Sequence, residues 1–164
     1  SLENMTDFCG KIDKSFHPEY TSGFKLAENT DGDKILNDIK EVYNGTLKDK
    51  LSRICDKKLI KKYEEIRSIH EKLLKAFKEN RGFDVINLSI LNIAKNREFK
   101  NLIKSRCPLY LKEEMFYDTH ITKELYKKLI EQNFNYILDT MISNSPENNC
   151  LTGYDKMWKF SLYK

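Results

Sequence analysis

Glycine and proline are scarce in this chain, which has 6 glycines and 3 prolines among its 164 residues. An all-β fold needs frequent turns, and turns favour these two residues. Charged residues make up 33% of the chain and hydrophobic residues 40%. Because long charged side chains form helices well, this composition is typical of a globular, helix-rich protein. The composition therefore predicts an all-α fold.

Long apolar runs and glycine-rich phosphate loops are also absent from the sequence. A membrane-spanning helix needs a run of about 18 or more apolar residues, and none occurs. His70-Glu71 is followed by no second histidine one turn later, so the zinc-protease motif is missing. Asn29 to Asp33 resemble the start of a calcium loop, but lysine occupies the positions of the required glycine and closing acid. We therefore expect no catalytic residue, no cofactor and no metal site.

The excess of positive charge is small, with 29 basic and 25 acidic residues and a formal net charge of +4. Nucleic-acid-binding domains concentrate far more positive charge on one face. Lysine, asparagine, isoleucine and tyrosine are abundant, which is typical of an AT-rich genome such as that of some parasites. This bias in codon usage indicates origin and carries no information about function.

The four cysteines, Cys9, Cys55, Cys107 and Cys150, lie far apart along the chain. A zinc site needs closely spaced cysteine pairs, so this spacing favours disulfides between helices. We predict two disulfides, with three pairings open. Because disulfides persist in oxidising compartments, the pattern predicts a secreted or cell-surface protein, with an intracellular protein as the alternative.

Apolar residues at helical spacing predict the helices. A short first helix precedes His17, and a second helix ends at Asn44-Gly45. A long third helix is expected over Leu47–Asn80, because an apolar seam repeats every three or four residues along it. This seam includes Tyr63, Ile66, His70, Leu73 and Phe77.

Two further helical regions follow the third helix. A fourth helix, capped by Asp84, runs to Cys107-Pro108 and carries apolar residues around much of its surface, which predicts a central position. A short segment from Leu109 and a last long helix from Thr119 complete the pattern. The sequence predicts an all-α bundle of about four or five helices with one long central helix, the third, and with disulfides stapling the helices. We expect residues 1–164 to form a single domain excised from a longer secreted or membrane-anchored protein.

For function, we expect a non-enzymatic protein–protein interaction module of a secreted, exported or surface-exposed protein. The partner is another protein of unknown identity, and any membrane attachment uses segments outside this chain. The alternative is an intracellular helical protein that binds nucleic acid or acidic lipid through basic residues of the third helix. Those residues are Lys57, Lys58, Lys61 and Lys62. Interleaved acidic residues make the alternative weaker, because they repel phosphate and pair with the lysines.

Overall fold

A computed structural model of the chain describes residues 25–28, 31–54 and 56–143. These residues form a helical bundle without β-strands, so the predicted all-α fold is confirmed. The elements are α1 (Gly32–Glu41), a π-helical segment (Val42–Leu47), α2 (Lys48–Ile54), α3 (Lys57–Lys78), α4 (Gly82–Arg106) and α5 (Leu109–Ser143). Because α1, the π-helical segment and α2 are continuous, the described residues contain four helices. The helix predicted before His17 lies outside the described residues.

The π-helical segment keeps one apolar stripe facing the core. The stripe repeats every fourth residue and consists of Ile35, Ile39, Tyr43, Leu47 and Leu51, all buried. On an α-helix each residue turns about 100°, so a four-residue repeat drifts by about 40° at every step. A π-helix is wider and turns less per residue, so it reverses this drift. The segment therefore returns Leu47 and Leu51 to the buried face.

The predicted helix end at Asn44-Gly45 is wrong. The backbone stays helical through this pair, and no described glycine has a positive φ angle. Thr46 lies within the π-helical segment, where its hydroxyl donates to the Val42 carbonyl at 3.1 Å. Burial of Leu47 and Leu51 outweighs the local preference of Asn-Gly for a turn.

The predicted long helix Leu47–Asn80 is also wrong, because it is divided into α2 and α3. Asp56 is the N-cap of α3 and accepts hydrogen bonds from the backbone amides of Lys58 (2.9 Å) and Leu59 (3.3 Å). The same carboxylate accepts hydrogen bonds from Arg106, at the end of α4, at 2.9 and 3.1 Å. Asp56 therefore both starts α3 and fixes its beginning against α4.

The turn between α3 and α4 uses asparagine in a left-handed conformation. Asn80 has a φ angle of 58°, and the amide of Arg81 donates to the Ala76 carbonyl at 2.9 Å. This arrangement is a Schellman motif, which satisfies carbonyl groups at the end of a helix. The Asn80 side chain also accepts a hydrogen bond from the Leu26 amide at 2.8 Å. The turn thus holds part of the chain that precedes α1.

The central helix is α4, because it packs against both α3 and α5. The spread of apolar residues over the fourth predicted helix indicated this position, whereas the expectation that the long third helix is the central one is wrong. The longest helix is α5, with 35 residues, and it joins the short segment and the last helix that the sequence separates. Thr119 lies inside α5, where its hydroxyl donates to the Phe116 carbonyl at 2.8 Å.

An ion pair joins α5 to α2. Lys50 Nζ lies 2.5 Å from Asp118 Oδ2, and both side chains are largely buried. Burial raises the pKa of Asp118 despite the neighbouring Lys50. This contact fixes the rotation of α2 relative to α5. No helix among the described residues is long and apolar enough to span a bilayer.

The predicted seam of α3 faces the core at most positions. Tyr63, Ile66, His70 and Leu73 are buried, whereas Phe77 is only half-buried at the edge of the core. The seam packs within the chain, as expected for a bundle helix. We expected Phe77 to be buried against other helices of the chain, and it does pack against the core, but only part of its side chain is buried.

We expect Leu73→Ala to reduce the free energy of unfolding by roughly 2–5 kcal/mol, because it removes a fully buried side chain and leaves a cavity. Urea unfolding measures this change. Lys72→Ala, one position away on the exposed face, is the matched control and should change the free energy by less than about 0.5 kcal/mol. Similar effects of the two variants would contradict the burial of Leu73 in the core and the exposure of Lys72.

Candidate functional site

Polar side chains meet in the interior of the bundle, around the hydroxyl of Tyr126 on α5. This hydroxyl is fully buried and lies 2.7 Å from His70 Nδ1 on α3. Asn92 on α4 donates its amide to the same oxygen at 2.7 Å. The hydroxyl of Tyr43, in the π-helical segment, lies 3.5 Å away. One buried tyrosine therefore contacts polar groups from three other elements.

Tyr43 forms a second centre of this buried network. Its hydroxyl accepts from Asn96 Nδ2 at 3.5 Å, and its backbone carbonyl accepts from the Tyr63 hydroxyl. The Tyr43 ring lies edge-to-face with His70 at 5.5 Å between centroids. Aromatic pairs prefer this geometry, so packing and hydrogen bonding act together here.

Burial determines the charge state of the network. It raises the pKa of Tyr126 and of Tyr43, so both hydroxyls keep their protons at neutral pH. Burial also lowers the pKa of His70 to about 4, with smaller contributions from the positive charges of Lys40 and Arg67. His70 is therefore a neutral imidazole at neutral pH.

The hydrogen bonds indicate which nitrogen of His70 carries the proton. Tyr126 accepts from Asn92 and from Tyr43, so its own proton is directed to His70 Nδ1. The imidazole proton then lies on Nε2, which is buried and has no partner among the described residues. His70 lines a cavity of about 40 Å³ that also contacts Glu71. This volume has room for a water molecule that could accept from Nε2.

The network joins α3, α4, α5 and the π-helical segment through hydrogen bonds around Tyr126 and Tyr43. The described residues contain no group of three or more His, Cys, Asp or Glu side chains placed to hold a metal ion. The arrangement fits a structural role of specifying how the helices meet.

Of the predicted disulfide cysteines, only Cys107 lies among the described residues. Its thiol is free and buried, and its Sγ lies 3.2 Å from Met115 Sδ. Burial raises the pKa of this thiol, which lowers its reactivity at neutral pH. The described residues thus hold no disulfide. Because Cys9, Cys55 and Cys150 lie outside them, the two disulfides stay a prediction.

The four lysines of the predicted basic patch occupy the first two turns of α3. Lys57, Lys58 and Lys61 are exposed. Lys62 is paired with Glu65 at 3.1 Å and with Glu98, on α4, at 2.7 Å. The hydrogen bond that Lys62 donates to the Glu98 carboxylate raises the pKa of Lys62 above its usual value. One of the four positive charges is therefore compensated within the chain.

A cluster of exposed apolar side chains lies at the beginning of α5, and the sequence pattern did not distinguish it from core residues. Leu109 is 84% exposed, Tyr110 69% and Tyr117 64%, the largest values for large hydrophobic residues in the described chain. Tyr110 and Tyr117 are seven residues apart, which places them on one face of the helix. That spacing is the signal available in the sequence, but core aromatic residues share it. We call Leu109, Tyr110 and Tyr117 the α5 face.

No protein-family model matches the chain, and comparisons with curated proteins and with solved structures found no match either. Inferences about function therefore rest on the residues of this chain alone.

The low pKa of His70 predicts a loss of stability in mild acid. In the unfolded chain His70 has the ordinary histidine pKa of about 6.5, whereas in the folded chain burial lowers the pKa of His70 to about 4. Neutral His70 therefore contributes fully to the free energy of unfolding above pH 6.5. Below pH 6.5 the free energy of unfolding falls by up to about 1.4 kcal/mol per pH unit, to a total loss of about 3 kcal/mol. Urea unfolding between pH 7 and pH 4.5 measures the loss.

His70→Gln is the control for this pH dependence, because glutamine is polar and does not titrate. Carboxylates contribute to both curves and cancel in the difference. Equal pH dependence of the variant and the natural chain would show that His70 protonates freely in the folded state.

We expect Tyr126→Phe to lower the free energy of unfolding by roughly 1–3 kcal/mol, because His70 Nδ1 and the Asn92 amide lose a buried partner. Thermal or urea unfolding measures the effect. Tyr117→Phe removes the same hydroxyl from an exposed position and should have little effect. A similar loss in the two variants would contradict a special role for the Tyr126 hydroxyl.

Proposed function

We propose that this chain is a non-enzymatic protein-binding module that recognises its partner through the α5 face. We further propose that it belongs to a secreted, exported or surface-exposed protein. The observation that carries the first part is the exposure of Leu109, Tyr110 and Tyr117 within the first turns of α5. Isolated exposed apolar residues are normal, but here three large ones lie close together in the chain.

The chemistry of the α5 face suits protein recognition. Tyrosine is enriched in protein interfaces because its ring supplies apolar area and its hydroxyl can hydrogen-bond. Glu113 and Glu114, both exposed, lie between the two tyrosines in sequence. An apolar centre with charged residues beside it is the usual composition of a non-obligate interface.

Binding of nucleic acid or acidic lipid through Lys57, Lys58, Lys61 and Lys62 is the less favoured alternative. Glu65 and Glu98 already pair with Lys62. Asp56 and Glu64 add negative charge within the same turns of α3. A phosphate backbone would need to displace or tolerate these acids, which weakens its attraction to the lysines.

Photo-crosslinking tests the proposal directly. A photoreactive phenylalanine analogue replaces Tyr117 in one variant and exposed Lys72, on α3, in the control. With the full chain in its natural surroundings, we expect adducts to a second protein from position 117 and not from position 72. Crosslinks from position 117 only to the chain itself would contradict the proposal, because they would show that the chain covers the α5 face.

Affinity measurements with the protein identified in this way complete the test. We expect Tyr110→Ser combined with Tyr117→Ser to weaken binding by tenfold or more, because tyrosines at interface centres each contribute about 2 kcal/mol or more. Unfolding in urea should be nearly unchanged, since both side chains are exposed. Unchanged affinity in the double variant would rule out the α5 face as the recognition surface.

A further inference from the structure

A cavity between α4 and α5 is lined by several basic side chains. Its volume is about 100 Å³, and its lining residues are Asn96, Arg97, Lys100, Thr119, His120 and Lys123. None of these described lining residues is acidic. Asn96 and Thr119 are buried, whereas Arg97, Lys100 and His120 reach the surface. The cavity therefore joins the polar interior to solvent through positively charged groups.

Helical spacing brings the basic residues to this cavity. On α4, Lys100 follows Arg97 by three residues and Asn96 by four, so all three share a face. On α5, Lys123 follows His120 by three residues and Thr119 by four. The two faces meet because α4 and α5 pack along each other.

The positive charges at the cavity are only partly compensated within the described chain. Lys100 Nζ lies 5.5 Å from the centroid of the Phe116 ring, which is a cation–π contact. Arg97, Lys100 and Lys123 take part in none of its ion pairs. Glu124 attracts Lys123 but pairs with Lys127 at 3.5 Å. Burial, followed by repulsion from neighbouring cations, lowers the pKa of Lys123. An anion in the cavity would relieve this repulsion.

Asn96 is the buried polar residue of the lining and is 3% exposed. Its Nδ2 donates to the Asn92 carbonyl at 2.9 Å and towards the Tyr43 hydroxyl. Its Oδ1 is shielded from solvent, so the side chains that can reach a ligand in the cavity are the basic ones.

We propose that this cavity binds a tetrahedral oxyanion, as in inorganic phosphate or a phosphate monoester. Arg97, Lys100 and Lys123 donate charge-assisted hydrogen bonds to its oxygens. A water molecule takes about 30 Å³ in the liquid, so the cavity holds one tetrahedral anion and little more. This site is separate from the α5 face and does not depend on the function proposed for that face.

Isothermal titration of the full chain with inorganic phosphate at pH 7 tests the proposal, with chloride holding the ionic strength constant. We expect one binding site. Lys100→Gln combined with Lys123→Gln should weaken binding about tenfold or more, because each lost contact is a charged hydrogen bond. Arg97→Glu, an exposed change that leaves the interior intact, should also weaken phosphate binding about tenfold or more.

Lys57→Gln combined with Lys61→Gln is the matched control, because it removes the same charge from exposed positions on α3. This control should change the affinity by less than about twofold, since distant surface charges are screened. Absence of binding to the natural chain, or equal loss in the two double variants, would overturn the proposal.

Two further titrations identify the ligand chemistry. Sulfate presents the same tetrahedral arrangement of oxygens, so it should compete with phosphate for the site, and failure to compete would overturn the assignment of a tetrahedral oxyanion. Glycerol phosphate and vesicles containing phosphatidic acid distinguish a soluble ligand from a lipid headgroup. Binding of either that is lost in the Lys100 and Lys123 variant supports the site and names its source, whereas binding of neither would limit it to inorganic phosphate.

Discussion

The hydroxyl of Tyr126 determines how the helices of the bundle align. It is shielded from water, so its hydrogen-bonding capacity must be met inside the protein. His70 Nδ1 on α3 and Asn92 Nδ2 on α4 each lie 2.7 Å from the Tyr126 hydroxyl oxygen. A shift of either helix by one residue would break its hydrogen bond. Apolar packing holds the helices together in many alignments, whereas these directional bonds select one. The position of α4, and of the groove that it forms with α5, follows from that selection.

Composition and periodicity were enough to predict the fold class and the central position of α4. The helix boundaries were harder, because they depend on contacts distant in sequence. Asn44-Gly45 is a strong local signal for a helix end, yet the burial of Leu47 and Leu51 keeps the chain helical. The break before α3 carries a local signal, because aspartate is a preferred N-cap residue and Asp56 directly precedes the helix.

The candidate sites were harder to predict from the sequence than the fold. The seam of α3 placed His70 inside the bundle, but nothing in the spacing linked it to Tyr126 on a helix far along the chain. Asn92 and Asn96 are polar residues of a kind that usually lies at the surface, and one sequence gives no means of recognising their burial. The pairing of Lys62 with Glu65 follows from helical spacing, whereas its stronger contact with Glu98 requires the packing of α4 against α3.

The π-helical segment makes the first part of the bundle tolerant of one change in chain length. A π-helix turns less per residue than an α-helix, so the 6 residues Val42–Leu47 complete about the same rotation as roughly five α-helical residues. Loss of one residue inside the segment would therefore convert it to α-helix and leave Lys50 directed towards Asp118, its partner at 2.5 Å. A methyl group added at Gly45 would meet no atom within 4 Å. Related sequences should therefore vary freely at Gly45 and should include forms that are one residue shorter within this segment.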